Sequence, residues 1–279
     1  MIRYLVPGVY HVVSRLRTPR LVLFWLVNVL AVIAVVAVAA SDLGWLDAVL
    51  VLVLALAAWQ SVYEVGYLEN DLVTTQRERQ PTLRLDAAER HYLLRVYTPL
   101  VMGKLAVAAA CVGLVAYLGD LRGLDLNLAV FVATMVGLRL VYRFHNGSRG
   151  RPAIASFGLL YVAKYLALPL LVVQPGSWAF LLAALVPVPL SVLEYAALPR
   201  FGLQRLAAAL EPLPLRRAQY YLVLTLVGGA IAWWVRAPWS LVVLGVATGL
   251  LLFRTATLIA LMLIGRSQAR AGWKGRTRW

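Results

Sequence analysis

Four of the chain's twelve acidic residues, Glu64, Glu69, Asp71 and Glu78, fall in the stretch SVYEVGYLENDLVTTQRERQPTLRL, residues 61–85, together with Arg77, Arg79 and Arg84. Carboxylates and an amide are hard oxygen ligands for magnesium, and arginines fork onto phosphate oxygens, so the grouping has the composition of a site for a magnesium-bound diphosphate. On a helix Glu64, Tyr67 and Asp71 are spaced i, i+3, i+7 and share a face, which puts two acids and a phenol on one wall with Asn70 beside them. Pro81 marks a break in the helix beyond. The same charges also suit a solvated loop held by its own ion pairs, and charge alone does not separate the two readings.

The elements that must position these groups are apolar. The chain has 279 residues, 62% hydrophobic and 14% charged, with mean hydropathy +0.79, well outside soluble-domain composition. Several runs reach the length needed to cross a hydrocarbon core of about 30 Å, and none alternates as a membrane β-strand does. The expected fold is an all-α integral membrane bundle with spans at 21–40, 45–66, 98–118, 125–143, 153–173, 177–198, 219–237 and 239–264. The first run lacks a small-residue cleavage site and reads as a retained helix. The single Cys111 excludes an internal disulfide and a cysteine-cluster metal site.

Alternation of these spans sorts the loops by charge. Arg3, Arg15, Arg17 and Arg20, the arginines of 77–95, Arg143 to Arg151, Arg200 to Arg217 and the basic tail 265–279 fall on one side, against Arg122 and Arg236 on the other. The positive-inside rule then places both termini and the candidate site in the cytoplasm. It also explains most of the formal charge of +15 without a nucleic-acid partner; the partner implied is the lipid bilayer. Residues 1–20 alternate apolar and basic positions and read as an interfacial amphipathic segment ahead of the bundle, 21–264.

Further polar residues stand within or beside the spans. SVYEVGYLEND (61–71) is echoed by SVLEYAALPRF (191–201), which sets Glu64 and Glu194 at matching places four helices apart and suggests a four-helix internal repeat. In LRLVYRFHNGSRGRP (138–152), Arg139, Arg143 and Asn146 share a helical face and Tyr142, His145 and Arg149 an adjacent one. His145 reads as a base, a ligand or an interfacial polar residue. Lys104, Arg139, Lys164 and Arg254 lie inside apparent spans, either around a buried anionic site or paired with Glu64 and Glu194.

The order of span two, an Asn-Asp motif, a basic Pro-containing loop and a second polar motif after span six resembles the UbiA superfamily of intramembrane transferases, with Asn70, Asp71, Glu78 and QPTLRL carrying the likeness. The departures are that Thr75 and Arg79 stand where the family's further aspartates are expected, and that LEYAALPRFGLQR keeps only Glu194 of the second motif. The resemblance implies a magnesium-dependent transferase of a bacterial inner membrane. It implies metal on Asn70, Asp71, Glu64, Glu78 and Glu194, with catalytic roles for Asp71, Glu64 and Tyr67. Substrate contacts would come from Arg77, Arg79, Arg84, Arg143, His145, Asn146 and Lys164. The surplus of arginine favours a phosphoribosyl group, moved from phosphoribosyl diphosphate to polyprenyl phosphate or another lipid-linked acceptor, over a prenyl group moved from a prenyl diphosphate. Two rivals from other classes are an anionic-lipid transporter or flippase and a membrane scaffold.

Overall fold

The computed structural model describes residues 2–77, 83–148 and 150–264. Two short helices, α1 (Ile2–Leu5) and α2 (Val9–Arg15), precede the first span, joined by a left-handed turn at Gly8, φ 87°. The first span is built from α3 (Pro19–Trp25), a π turn over Leu26–Ala31, and α4 (Val32–Ala39). Thr18 starts it: its hydroxyl accepts the Leu21 N–H, and Pro19 occupies the first helical position, where no N–H is needed. The second span is α5 (Trp45–Leu68), continued by a π turn over Glu69–Val73 and a 3₁₀ turn over Thr74–Arg77. After α6 (Ala87–Arg95), N-capped by Asp86, come α7 (Tyr97–Arg122), α8 (Leu128–Gly147) and α9 (Pro152–Val172). The sixth span is broken at Val186–Pro187 into α10 (Leu181–Leu185) and α11 (Val188–Ala196). The chain then runs through α12 (Gln204–Ala209), α13 (Leu213–Val235) and α14 (Pro238–Ile264).

Among the described residues eight helices are long and apolar enough to cross a membrane, and there is no strand. The architecture is therefore an all-helical membrane bundle. Two spans differ in extent from the reading of the sequence. The second runs to Gln76, because a π turn carries the helix through ENDLV, and the seventh begins at Leu213, so Arg216 and Arg217 belong to a helix and not to a loop.

The core lies between α4, α5, α8, α9, α10 and α14, where Val36, Val51, Ala55, Trp59, Phe131, Leu171, Ala183 and Ala247 are buried. One end of the bundle is closed by hydrogen bonds between loops. Gln174 donates its N–H to the Ala40 carbonyl at 3.1 Å, Asn127 its N–H to Leu171 at 2.7 Å, and the Asn127 amide reaches Val173 at 2.7 Å. The opposite end, which carries Asp71, is covered by the N-terminal segment. Ile2, Val6 and Val12 are exposed as an interfacial segment requires, but Tyr4, Tyr10, His11 and Ser14 are buried against the bundle. Residues 2–15 thus plug this end as well as lining its surface, because their inner face carries polar groups that the spans satisfy. The tail 265–279 lies outside the described residues.

Candidate functional site

Asp71 sits in the π turn at the end of the second span, and it is almost fully enclosed by donors. Its Oδ2 accepts the Tyr10 hydroxyl at 2.8 Å and Arg15 NH1 at 2.7 Å; its Oδ1 accepts Arg15 NH2 at 3.0 Å, Arg84 NH1 at 3.1 Å and the Asn70 amide at 3.3 Å. Arg15 also lies 4.2 Å above the Tyr67 ring, a cation–π contact. The two guanidiniums keep 12% and 20% of their side chains accessible, so a soluble anion can reach them. Burial lowers the Arg15 pKa, but the Asp71 charge outweighs it and holds Arg15 above its usual range; Arg84 is pushed down by burial and by Arg15. Burial and the Asp71 charge raise Tyr10, which stays a donor.

About two turns deeper, Glu64 accepts Lys104 Nζ at 2.5 Å and the backbone N–H of His11 at 2.6 Å. His11 Nδ1 and Gln60 Nε2 are 2.9 Å apart. The imidazole packs edge-on to Trp25 at 5.6 Å and against Tyr67 at 5.4 Å. Burial, then the charges of Lys164 and Arg15, push the His11 imidazole down to about 3, so the ring is neutral. The face shared by Glu64, Tyr67 and Asp71 is therefore real in the sense that all three touch α2, through His11, His11 with Arg15, and Tyr10 with Arg15.

From Tyr67 an aromatic wall runs inward. Tyr63 lies 4.9 Å from Tyr67 and 5.1 Å from Tyr142, and Trp59 lies 4.5 Å from Tyr63. Lys164 projects from α9 at about 18 Å along the axis from Pro152, which is mid-membrane. Its ammonium stands 4.8 Å over Tyr161 and 5.8 Å over Tyr165 and makes no ion pair with any described carboxylate. The π turn over Leu26–Ala31 holds Asn28, whose Oδ1 accepts Arg254 NH2 at 2.7 Å and whose carbonyl accepts the Tyr165 hydroxyl at 2.7 Å. Both π turns thus deliver polar residues to the interior, a recurrent use of this wider turn. Glu194 is gripped by Arg217 through two bonds of 2.6 Å.

The charges do not cancel. Glu64, Glu69 and Glu194 are each matched by one cation, Lys104, Arg139 and Arg217, whereas Asp71 faces two, and Lys164 and Arg254 pair with no carboxylate among the described residues. The bundle therefore holds a net positive interior beside hydroxyl and ring groups, an arrangement that favours an anion.

Among the described residues, the carboxylates that the resemblance assigns to magnesium already have partners. The oxygens of Asp71, Glu64 and Glu194 are taken up by cationic donors, and no group of three His, Cys, Asp or Glu side chains among the described residues is placed to hold a metal. Asn70 turns its amide to Asp71 and not to a shared ligand. Glu78 and Arg79 lie outside the described residues, as does the side chain of Arg77. Arg143 is exposed and does not join Arg15 and Arg84. His145 belongs to a different corner, with Nδ1 2.9 Å from the Ser156 hydroxyl and Nε2 3.4 Å from Tyr195, while the Asn146 amide donates to the Gly66 carbonyl at 3.3 Å. The sequence reading missed Tyr10, His11, Arg15, Asn28 and Gln60. The signal available for Asn28 and Gln60 was an amide inside an apolar run; for the N-terminal residues there was none, since their partners lie up to 61 positions away.

No protein-family model, no curated protein and no solved structure matches this chain.

Proposed function

We propose that this protein is a membrane-embedded transferase that moves a diphosphate-activated group onto a lipid-borne acceptor, with phosphoribosyl diphosphate ahead of a prenyl diphosphate as donor. The observation that carries the reading is the excess of positive charge that runs from one end of the bundle to mid-membrane: Arg15 and Arg84 share a single carboxylate, and Lys164, behind an aromatic wall, pairs with no described carboxylate. Guanidinium and ammonium groups in a water-poor site neutralise a leaving diphosphate, the role otherwise given to metal. An oxygen of the acceptor bonds to the donor carbon, the bond from that carbon to the diphosphate breaks, and the diphosphate leaves with the electron pair. Tyr67, Tyr63 and Tyr142 offer ring faces to the positive charge that develops on carbon. A charged, hydroxyl-lined entrance suits a sugar diphosphate better than an isoprenoid. The side of the membrane that supplies the donor is then the cytoplasm.

Transport of an anionic lipid is the weaker reading, because the cations stop at mid-membrane and hydrogen bonds of Asn127 and Gln174 tie the far end of the bundle together. The test is donor binding and turnover by purified protein with radiolabelled phosphoribosyl diphosphate and a lipid extract. Labelled lipid product that disappears in Arg84→Ala supports the proposal; labelled lipid carried across vesicles without chemical change overturns it.

A further inference from the structure

A groove of about 450 Å³ opens on the side of the bundle between α2, α3 and α5, walled by Val9, Leu16, Trp25 and Leu56 and floored by His11 and Gln60. The walls from α3 and α5 belong to spans, so the groove faces hydrocarbon and an occupant arrives from within the bilayer. Its floor is polar and incompletely bonded. Gln60 is 4% exposed, and its Oε1 is buried without a hydrogen-bond partner; His11, 6% exposed, uses Nδ1 on Gln60 and leaves Nε2 without a partner among the described residues.

The pair has a fixed hydrogen-bonding character. With Gln60 Nε2 donating to Nδ1, the free groups are the Gln60 carbonyl, an acceptor, and the His11 Nε2–H, a donor. With the amide turned over and Nδ1–H donating, the free groups are the Gln60 amino group, a donor, and Nε2, an acceptor. Either way the floor holds at least one free donor and one free acceptor, the amide keeping a further N–H, and the ring is neutral, since burial and the nearby Lys164 and Arg15 charges oppose its protonation. A hydroxyl both donates and accepts and is the smallest group that satisfies the two together. A phosphate monoester accepts strongly but, once doubly ionised, leaves the acceptor of the pair unserved. An unmade hydrogen bond in such a site is what makes an OH-reading pocket selective.

We infer that the groove binds a membrane lipid with an apolar chain ending in a free hydroxyl, the chain lying against Trp25 and Leu56 and the hydroxyl bridging Gln60 and His11. This names the acceptor as a lipid alcohol, a role that rests on the transferase reading, in which the alcohol oxygen bonds to the donor carbon and its proton goes to the leaving diphosphate; the binding itself does not rest on that reading.

The experiment uses the full chain in bilayer nanodiscs and a long-chain alcohol bearing a photoactivatable diazirine. Crosslinks are expected at Trp25 and in the Val53 to Gln60 segment. Unlabelled alcohol should compete about tenfold better than its methyl ether, which lacks the donor, and better than its phosphate ester. Gln60→Leu should erase the preference for alcohol over ether. Crosslinks elsewhere, or equal competition by the ether, overturn the inference on the wild-type protein alone, and stronger competition by the phosphate replaces the alcohol with an anionic head group. Retained alcohol preference in a protein that shows no transfer with any diphosphate donor sinks the reaction and leaves the site standing.

Discussion

Glu64 and Lys104 meet at 2.5 Å with neither side chain exposed, and the backbone N–H of His11 completes the carboxylate's shell. Breaking such a pair leaves one charge buried without compensation, which costs about 3–5 kcal/mol, while removing both charges is far less costly. Glu64→Gln and Lys104→Met should each lower the melting temperature in detergent sharply, and the double variant should recover most of the loss. A double variant no better than the singles would show that the two charges are not coupled.

Asp71 holds the N-terminal segment to the bundle through Tyr10 and Arg15 while also neutralising Arg84. Asp71→Asn leaves two guanidiniums facing each other and should cost about 3 kcal/mol. Arg15→Gln, which leaves the Asp71–Arg84 pair intact, should cost about 1.5 kcal/mol. Chemical denaturation of the three proteins gives the order directly; equal losses would mean that Asp71 acts only through Arg15.

His11 supplies a pH dependence with a definite sign. Its pKa is lowered from 6.5 to about 3 by burial and by the Lys164 and Arg15 charges, so below 6.5 the unfolded chain binds a proton that the folded one refuses. Stability from this residue is complete above pH 6.5 and falls as the pH drops towards 3. Gln60, Trp25, Tyr67 and Glu64 are the other groups around it, and Glu64 meets its backbone and not its ring. Melting temperatures between pH 7.5 and 5 should fall in the wild type and fall less in His11→Gln.

The bundle was legible because spanning a membrane demands long apolar runs, and no alternative placement of Val32–Ala39 or Leu128–Met135 satisfies their backbones. That Glu64 and Asp71 have partners was legible for a related reason, since acids beside apolar runs need them. What they bind was not. The partners of Asp71 come from Tyr10 and Arg15, in a segment whose alternating pattern describes its lipid face and is silent on its inner one. Asn28 meets Arg254 across 226 positions, a pairing that no periodicity encodes. The π turn over Glu69–Val73 was also hidden, because ENDLV has no proline or glycine to mark a change of helix type.

At Gly66 the second span approaches Tyr142 of α8 closely. A Cβ there would lie 2.5 Å from the Tyr142 ring, which is 3% exposed and packed edge-on to Tyr63. Gly66→Ala should destabilise by about 1–3 kcal/mol through overpacking, despite alanine's better helix propensity. Pairing it with Tyr142→Leu should recover part of the loss. A more stable single variant would mean that α5 and α8 can part without cost.

Lys164 separates a structural from a functional role, because its charge pairs with no carboxylate among the described residues. Replacing an unpaired mid-membrane ammonium with an apolar side chain of similar length removes a desolvation cost, so Lys164→Met should melt at the same temperature as the wild type or higher. If the ammonium is there to receive an anion, the gain in stability comes with a loss of binding. Inorganic diphosphate should raise the melting temperature of the wild type in proportion to occupancy, and that shift should shrink in Lys164→Met by an amount equivalent to at least a tenfold weaker Kd. Arg143→Met, at an exposed position away from the cation cluster, should keep the full shift. A Lys164→Met protein that melts early and still responds fully to diphosphate would make the lysine a packing element held by Tyr161 and Tyr165, and would remove the inner half of the proposed anion site.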